Sequence, residues 1–208
     1  MKSKSIIIAI MASTMTAVAF IFFIFGESML TITPMQPQLT LQSNSFKNGA
    51  PIPRTYTCDG ENISPQLSWQ LSNENTTKQS IKSYVLIVDD PDAQKVVGKT
   101  VVHWMALLSP ETTHVPEGLS GENRAPISFD TSTIIECANG RNQNYYRGPC
   151  PPPESGIHTY RFMLFATTQS METLKNKFLH ASATGEEFKQ KMDTSIIVEA
   201  LLTGTYHR

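Results

Sequence analysis

Three segments of the chain place side chains that can bind charged ligands next to predicted strands. In the sequence VDDPDA, an apolar run ends in carboxylates that include Asp90 and Asp92. In VVHWMAL, His103 lies inside an otherwise apolar run. In HTY, His158 and Tyr160 follow a loop rich in proline and glycine. Residues i and i+2 of a strand share a face, so we expect this histidine and this tyrosine to point the same way.

These residue types are suited to binding a small oxyanion. Imidazole and phenol groups can hold an oxyanion through charge-assisted hydrogen bonds, and a carboxylate beside an imidazole fixes its tautomer and favours its protonated form. In the loop before HTY, Pro149 and Pro151–Pro153 fix φ, while Gly148 and Gly156 permit tight turns. A stiff loop can hold backbone groups around a ligand at little ordering cost. The pattern is compatible with a site for a small ligand if the three segments meet.

Each segment also has an ordinary structural explanation. Two aspartates around Pro91 are typical of a turn. A histidine in an apolar strand, such as His103, is often a hydrogen-bonded core residue. The His-x-Tyr pair fits a half-exposed strand edge, and the proline run fits a plain loop or a polyproline recognition segment. No single segment therefore carries a functional prediction.

The elements that would position these groups are mostly strands. Apolar alternation or dense β-branched runs predict strands over 38–46, Ile81–Asp89, Lys99–Leu108, Ile157–Thr167 and Thr194–Tyr206. Two short helices are predicted, METLKNKFLH and TGEEFKQKM, and the second has Thr184 and Glu187 spaced as a capping box. The segment Thr112–Asn144 is polar and predicted to be mostly irregular. The predicted fold class is mostly β, a compact antiparallel domain with a few short helices.

The N-terminus predicts export. Lys2 and Lys4 precede an apolar run, Ile6–Phe25, that contains no charged residue and is about long enough to cross a bilayer as a helix. Small residues at Gly26–Ser28 would also suit a signal peptidase, so an uncleaved anchor and a cleaved signal peptide both stay open. Either alternative predicts a membrane-anchored or exported (extracytoplasmic) protein with the lysines in the cytoplasm. The predicted organisation is an anchor or signal at 1–28, a linker at 29–38 and one domain at 39–208.

Composition and cysteine content narrow the function classes. The formal net charge is −1 and the basic residues are scattered, so binding to nucleic acid is not expected. Cys58, Cys137 and Cys150 would lie in an oxidising compartment, where one disulfide with any of three pairings could form. No CxxC or zinc-ligand spacing is present, and neither a metal nor a cofactor is predicted.

Four motifs of the chain resemble, in their order and in their residues, motifs of the phosphatidylethanolamine-binding protein family. The motifs are TYTCDGENISPQLSW, VDDPDA, VHWMAL and GRNQNYYRGPCPPPESGIHTYRFMLFAT. Its bacterial branch, the Raf kinase inhibitor-like proteins, is the more similar, and its exported members also carry a cysteine in each of two of these loops. The resemblance covers Leu39 to Tyr206, nearly the whole part expected to be exported.

This resemblance implies an antiparallel β domain with a small pocket for phosphate-like head groups or carboxylates such as acetate. It assigns ligand binding to seven positions of this chain: Asp90, Asp92, His103, Gly148, Pro149, His158 and Tyr160. It also implies a disulfide between Cys58 and Cys150. Cys137 would then be free or available for a bond to a second chain, which leaves a dimer open.

The resemblance implies a non-enzymatic binding protein, since members of the family are linked to kinase or protease inhibition and to lipid head groups. A kinase or a protease is therefore the expected kind of protein partner, and the membrane is contacted through the N-terminal segment. The alternative from the residues is a hydrolase using His103 or His158 with Asp90, with or without a metal. The chain has no G-x-S-x-G or H-E-x-x-H motif to support it. An envelope module with a vestigial pocket is a third alternative.

Overall fold

The computed structural model describes residues 36–72, 78–122, 124–126 and 129–208. The chain divides into two units, Met1–Pro34 and Met35–Arg208, and the second is the unit described below. The predicted anchor or signal at 1–28 and most of the predicted linker lie outside the described residues. Within the described ranges, no helix has the length and apolarity needed to cross a bilayer.

The described unit contains eight strands and three α-helices. The strands are β1 Leu39–Gln42, β2 Leu67–Leu71, β3 Ser83–Asp90, β4 Val101–Leu108, β5 His114–Val115, β6 Ile134–Cys137, β7 His158–Thr167 and β8 Ile196–Tyr206. The helices are α1 Gln94–Val97, α2 Met171–Phe178 and α3 Gly185–Met192. Short 3-10 turns lie at Arg54–Tyr56, Lys78–Ser80, Thr131–Thr133 and Asp193–Ser195.

The strands form two sheets in which every strand pair is antiparallel. A three-stranded sheet has the order β1-β2-β5, and a five-stranded sheet has the order β6-β4-β3-β7-β8. One face of the larger sheet packs on the smaller sheet through a cluster that includes Trp69, Trp104 and Phe162. Its other face packs on α2 and α3 through a second cluster that includes Phe165 and Phe188. The predicted fold class, mostly β with a few short helices, is confirmed.

Strand β3 lies at the centre of this three-layer arrangement. All eight of its residues are buried, because Leu86 and Val88 face the smaller sheet while Val85 and Ile87 face the helices. A strand covered on both faces reads as a continuous apolar run rather than as an alternation, which is the pattern of this segment. Its buried end therefore carries its carboxylates into the interior.

The five predicted strands and both predicted helices are present, with ends that shift by a few residues. The structure adds β2 and α1, which were not identified from the sequence. The segment Thr112–Asn144, predicted to be mostly irregular, contains two short strands, β5 and β6. Strands of two and four residues are too short to show a hydrophobic period in the sequence. They are identified in the structure by their pairing with β2 and β4.

The capping box predicted at the start of α3 is confirmed. The Thr184 side chain accepts a hydrogen bond from the backbone N–H of Glu187 at 3.2 Å, and the Glu187 carboxylate accepts one from the backbone N–H of Thr184 at 3.0 Å. These bonds satisfy backbone donors that have no partner within the helix. The buried Phe188 that follows joins the helix to the larger sheet.

We expect Thr184→Ala to lower the free energy of unfolding by about 1 kcal/mol, the usual contribution of an N-cap side chain. The measurement is urea denaturation followed by circular dichroism. Thr168→Ala is the control, since Thr168 is exposed and caps no helix. Equal losses in the two variants would contradict the assigned role of the capping box.

Candidate anion-binding site

Antiparallel pairing brings the three chemically active segments to one end of the larger sheet. Strand β3 ends at Asp90, and its neighbours β4 and β7 both begin at that end, because Asp90 pairs with Val101 and Asp89 pairs with Arg161. Continuing the β3–β7 register by one residue sets Tyr160 opposite Asp90. The convergence thus follows from strand direction and register.

His103 is the extra residue of a β-bulge between β3 and β4. Val88 pairs with Trp104 and the next residue, Asp89, pairs with Val102, so His103 has no partner of its own in the ladder. A bulge bends the strand and re-aims the side chain of the extra residue, and bulges occur often beside functional sites. Here the bulge leaves the imidazole in the cavity wall.

The cavity at this end of the sheet has a volume of about 180 Å³. Four of the predicted site residues line it: Asp90, His103, His158 and Tyr160. The remaining wall includes two arginines, the loop Cys150–Pro152 and apolar side chains of α1 and the start of β4. Asp92, Gly148 and Pro149 are not among the lining residues, and their positions are described below.

His158 uses both ring nitrogens in contacts with protein. Its Nδ1 lies 2.7 Å from Asp90 Oδ2, and its Nε2 lies 3.1 Å from Ser155 Oγ. The Ser155 hydroxyl also lies 2.7 Å from the carbonyl oxygen of Pro152, which can only accept. Since a hydroxyl has one proton, Ser155 donates to Pro152 and accepts from His158. Nε2 therefore donates to Ser155, and Nδ1 faces the buried Asp90 carboxylate at hydrogen-bond distance.

Unlike His158, His103 uses only one of its ring nitrogens in a contact with protein. Its Nδ1 lies 2.7 Å from the carbonyl oxygen of Arg147, so Nδ1 carries the proton and donates. Its Nε2 is buried and has no hydrogen-bond partner in the described part of the chain. Burial lowers the pKa of His103, which is only 7 % exposed, and the Arg147 charge lowers it too, against the Arg147 carbonyl and the Asp90 carboxylate. The ring is therefore neutral at pH 7, with a lone pair on Nε2.

The Tyr160 hydroxyl is the second unpaired polar group of the cavity. The side chain is fully buried, and Oη makes no hydrogen bond to the described residues. Burial, and then the charge of the Asp90 carboxylate, raise the pKa of Tyr160 well above its usual range, so the hydroxyl stays protonated. Its ring packs edge to face on His103, with centroids 5.2 Å apart. Tyr160 thus offers a fixed donor beside the His103 acceptor.

Two guanidinium groups give the cavity wall a positive charge. Arg147 and Arg141 both line it, and neither forms an ion pair with a carboxylate of the described residues. Burial and then the Arg141 charge lower the pKa of Arg147, yet an arginine stays charged in proteins. These two side chains were not among the residues predicted from the sequence. The available signal was that both lie inside the motif GRNQNYYRGPC, beside the predicted pocket wall.

Gly148 and Pro149 hold the loop in place from outside the cavity. The N–H of Gly148 donates to Asn62 Oδ1 at 2.8 Å, and the Pro149 carbonyl accepts from the N–H of Cys58 at 3.1 Å. A Cβ on Gly148 would lie only 2.3 Å from the carbonyl oxygen of Tyr56, so the close approach requires glycine here. The structure also contains the disulfide between Cys58 and Cys150 that the resemblance implies. These contacts fix the wall formed by residues 150–152.

Asp92 is also outside the cavity. Its carboxylate accepts from Lys95 Nζ and from the backbone N–H of Thr159, each at 2.9 Å. The Lys95 bond first, and then the Thr159 N–H, lower the pKa of Asp92. The side chain therefore pins the start of β7, next to His158, and its predicted contact with a ligand stays a prediction.

Cys137 is free and fully buried in β6. Burial, and then the charge of Glu136, raise the pKa of the Cys137 thiol to about 12. A buried, protonated thiol is unreactive. Of the two alternatives left by the sequence, this position favours a free thiol over a bond to a second chain.

The described residues contain no cluster of three His, Cys, Asp or Glu side chains arranged to bind a metal ion. They do contain the linked contacts Asp90–His158–Ser155, whose order is that of an acid, a base and a hydroxyl nucleophile. Ser155, however, directs its proton to Pro152 rather than to His158. In this geometry the contacts hold His158 in place and do not activate the serine.

The domain thus combines two antiparallel sheets with a pocket of histidine, tyrosine and carboxylate side chains at the strand ends. A family model for phosphatidylethanolamine-binding proteins matches residues 42–207. The chain therefore belongs to the phosphatidylethanolamine-binding protein family.

Several relatives of this chain are known. It is 39 % identical over 166 residues to the "UPF0098 protein" of Aquifex aeolicus, and the alignment covers 80 % of this chain and 86 % of that protein. It is 32 % identical over 179 residues to the "Putative lipoprotein LppC" of Mycobacterium tuberculosis, covering 85 % and 76 % of the two chains.

Solved structures show the same fold. A phosphatidylethanolamine-binding protein homologue from Chlamydia trachomatis aligns with a TM-score of 0.61 and 31 % identity, over 82 % of this chain and 98 % of its own. Escherichia coli YbcL aligns with a TM-score of 0.64 and 22 % identity, over 82 % and 99 %. The second likeness supports the fold alone.

Proposed function

We propose that this protein is a non-enzymatic binding protein that holds a phosphate-like or carboxylate group in the strand-end cavity. The observation that carries this proposal is the pair of unpaired, buried polar atoms in the cavity, His103 Nε2 and Tyr160 Oη. A buried polar atom without a partner costs free energy, so such a pair is expected where a ligand supplies the missing bonds.

Charge and shape support an anionic ligand. The guanidinium groups of Arg141 and Arg147 lie in the wall without an ion-pair partner among the described carboxylates, whereas the Asp90 carboxylate is already occupied by His158. A volume of about 180 Å³ suits a small oxyanion or the head group of a larger molecule. The exposed apolar side chains of Val96 and Val97 at the wall would accommodate a less polar remainder of that molecule.

Export to the extracytoplasmic side is part of the proposal. The charged and apolar N-terminal pattern, the disulfide and the likeness to a protein named as a lipoprotein all support a membrane-anchored or exported protein. The orientation, with Lys2 and Lys4 in the cytoplasm, follows from the positive-inside rule. A role as an inhibitor of a kinase or protease is an expectation from the family resemblance alone, to be tested by binding of this chain to candidate partners.

We expect Tyr160→Phe to weaken binding of inorganic phosphate and acetate about tenfold or more, since a hydrogen bond to a charged ligand is lost. Stability of the free protein should be unchanged or slightly higher, because the deleted hydroxyl has no partner among the described residues. Titration followed by histidine NMR measures the affinity. In the control Tyr206→Phe, the lost hydroxyl bonds Asp59 outside the cavity wall, so affinity should be unaltered. Equal affinity of wild type and Tyr160→Phe would count against the proposal.

A hydrolase is the second candidate, favoured only by the contacts among Asp90, His158 and Ser155. Catalysis would require Ser155 to turn from Pro152, pass its proton to a neutral His158 Nε2 and bond a substrate carbonyl carbon through Oγ, while the carbonyl π bond opens to an oxyanion. The oxyanion would then re-form the carbonyl and expel the leaving group, which would take the proton from His158. A fluorophosphonate probe and an ester panel, before and after chelation, test this candidate. Labelling at Ser155 that Ser155→Ala abolishes would favour the hydrolase over the binding protein.

A further inference from the structure

The cavity combines a positive wall with an acceptor that faces inward. Arg147 and Tyr160 offer N–H and O–H groups, but His103 Nε2 offers a lone pair. A bare anionic oxygen placed against that lone pair would be repelled, and the buried acceptor would stay unsatisfied. The ligand must therefore bring a proton to this position, or His103 must take one up.

The surroundings of His103 fix this arrangement. The carbonyl of Arg147 can only accept, so the ring proton stays on Nδ1 and the lone pair on Nε2. The charged and titratable groups that face or share the cavity with the ring are Asp90 on β3, Tyr160 and His158 on β7, Arg147 before the proline loop, and Arg141 in the preceding turn. Burial lowers the pKa of His103 in spite of the Asp90 charge, so taking up a proton there is disfavoured.

Ligands differ in whether they can supply that proton. A phosphate monoester has a second pKa of about 6, so near pH 6 about half of it carries one P–O–H group. A sulfate ester, a phosphodiester and a carboxylate carry no O–H group at this pH. All of these ligands are anions, so charge alone would not separate them.

We propose that His103 makes this cavity selective for phosphate monoesters in the hydrogen-phosphate form, and disfavours sulfates and phosphodiesters. In the complex, the P–O–H group donates to His103 Nε2, while the remaining oxygens accept from the Tyr160 hydroxyl and the Arg147 guanidinium. This inference rests on the proposed anion-binding function and specifies its ligand. It favours a soluble monoester or a monoester head group over the diester head group of an ordinary phospholipid.

The test is isothermal titration of the full-length chain at pH 6 with three probes. Methyl phosphate and methyl sulfate have nearly the same shape and, in the hydrogen-phosphate form, the same charge, but only the phosphate has an O–H group. Dimethyl phosphate represents the diester of a phospholipid. We expect methyl phosphate to bind about tenfold or more tightly than either of the other probes, the factor expected from one unsatisfied buried acceptor.

The matched variants are His103→Asn and Tyr160→Phe. The asparagine amide can still donate to the Arg147 carbonyl but removes the Nε2 acceptor, so the ratio of phosphate to sulfate affinity should fall towards one. Tyr160→Phe should weaken both ligands by a similar factor and leave their ratio unchanged. If His103→Asn does not fold, the ratio in the wild type still decides, and the ¹⁵N shift of His103 Nε2 should move on binding methyl phosphate.

The outcomes separate the two proposals. Equal binding of methyl phosphate and methyl sulfate by the wild type would overturn the role of His103 and leave the anion-binding function standing. A ratio that survives in His103→Asn would assign the selectivity to another residue and also overturn the inference. If none of the three probes, nor inorganic phosphate, binds, both proposals fall.

Discussion

Replacing Asp90 by alanine is expected to lower the free energy of unfolding by about 3–5 kcal/mol, the usual loss when one partner of a buried ion pair is removed. Asp90 and His158 are both almost fully buried, and the variant would leave the buried His158 Nδ1 without its partner. The variant would also lose the bond from the backbone N–H of Ala93 to Asp90 Oδ1, which closes the turn before α1. Denaturant unfolding of wild type and variant at pH 7 measures the change.

Asp92→Ala is the control for that experiment. Asp92 is only two residues away, but its partner Lys95 is largely exposed, so solvent already screens the pair. We expect a much smaller loss of stability, due mainly to the bond from Thr159. Similar losses in the two variants would contradict the assignment of Asp90–His158 as the buried pair that supports the site.

Removing the disulfide has the second large expected effect. Cys58 and Cys150 are 92 residues apart in the sequence. The chain-entropy model gives about 4.6 kcal/mol for closing a loop of this length in the unfolded state. We expect the double variant Cys58→Ser, Cys150→Ser to lose about that much stability, and to bind phosphate more weakly because only hydrogen bonds then hold the wall at residues 150–152 to the 54–62 segment.

Reduction of the wild type provides the matched comparison. Dithiothreitol should bring the unfolding midpoint of the wild type close to that of the double variant, and should leave the variant unchanged. A double variant as stable as the oxidised wild type would show that the hydrogen bonds of Gly148 and Pro149 hold the loop without the covalent link.

The sequence was sufficient to predict the elements with a clear period. The alternation of β7 and the dense apolar run of β3 predicted strands because each has enough residues to show its pattern. Thr184 and Glu187 predicted a helix start because capping is local and depends on three residues of spacing. The shared face of His158 and Tyr160 followed from the strand period, and their burial is in line with it.

The details of the cavity could not be read in the same way. The bulge that re-aims His103 depends on how β4 pairs with β3, and no local pattern marks it. The contact from Ser155 to His158 depends on how the loop returns after Pro152. For the same reason no partner could be predicted for either ring nitrogen of His158, whereas both have one in the fold.

The two arginines of the cavity wall could not be predicted as site residues for a different reason. In the sequence, nothing distinguishes Arg141 and Arg147 from other surface arginines. They become candidate ligand-binding residues only because segment 139–147 folds beside His103. Asn139 organises this segment, because its side chain bonds the N–H of Arg141 and the carbonyl of Tyr145. Such a turn is specified by one asparagine, which is too weak a signal to predict from a single sequence.

The buried position of Cys137 has a consequence for how the chain matures. Cys137 precedes Cys150 by only 13 residues, whereas Cys58 precedes it by 92. In an unordered polypeptide the shorter ring closes more readily, by about 2 kcal/mol, so random oxidation would join the wrong thiols. We expect the native link to form efficiently if β6 pairs with β4, and so buries the Cys137 sulfur, before the thiols are oxidised. Pairing of β6 with β4 is therefore the step that we expect to keep Cys137 out of the disulfide.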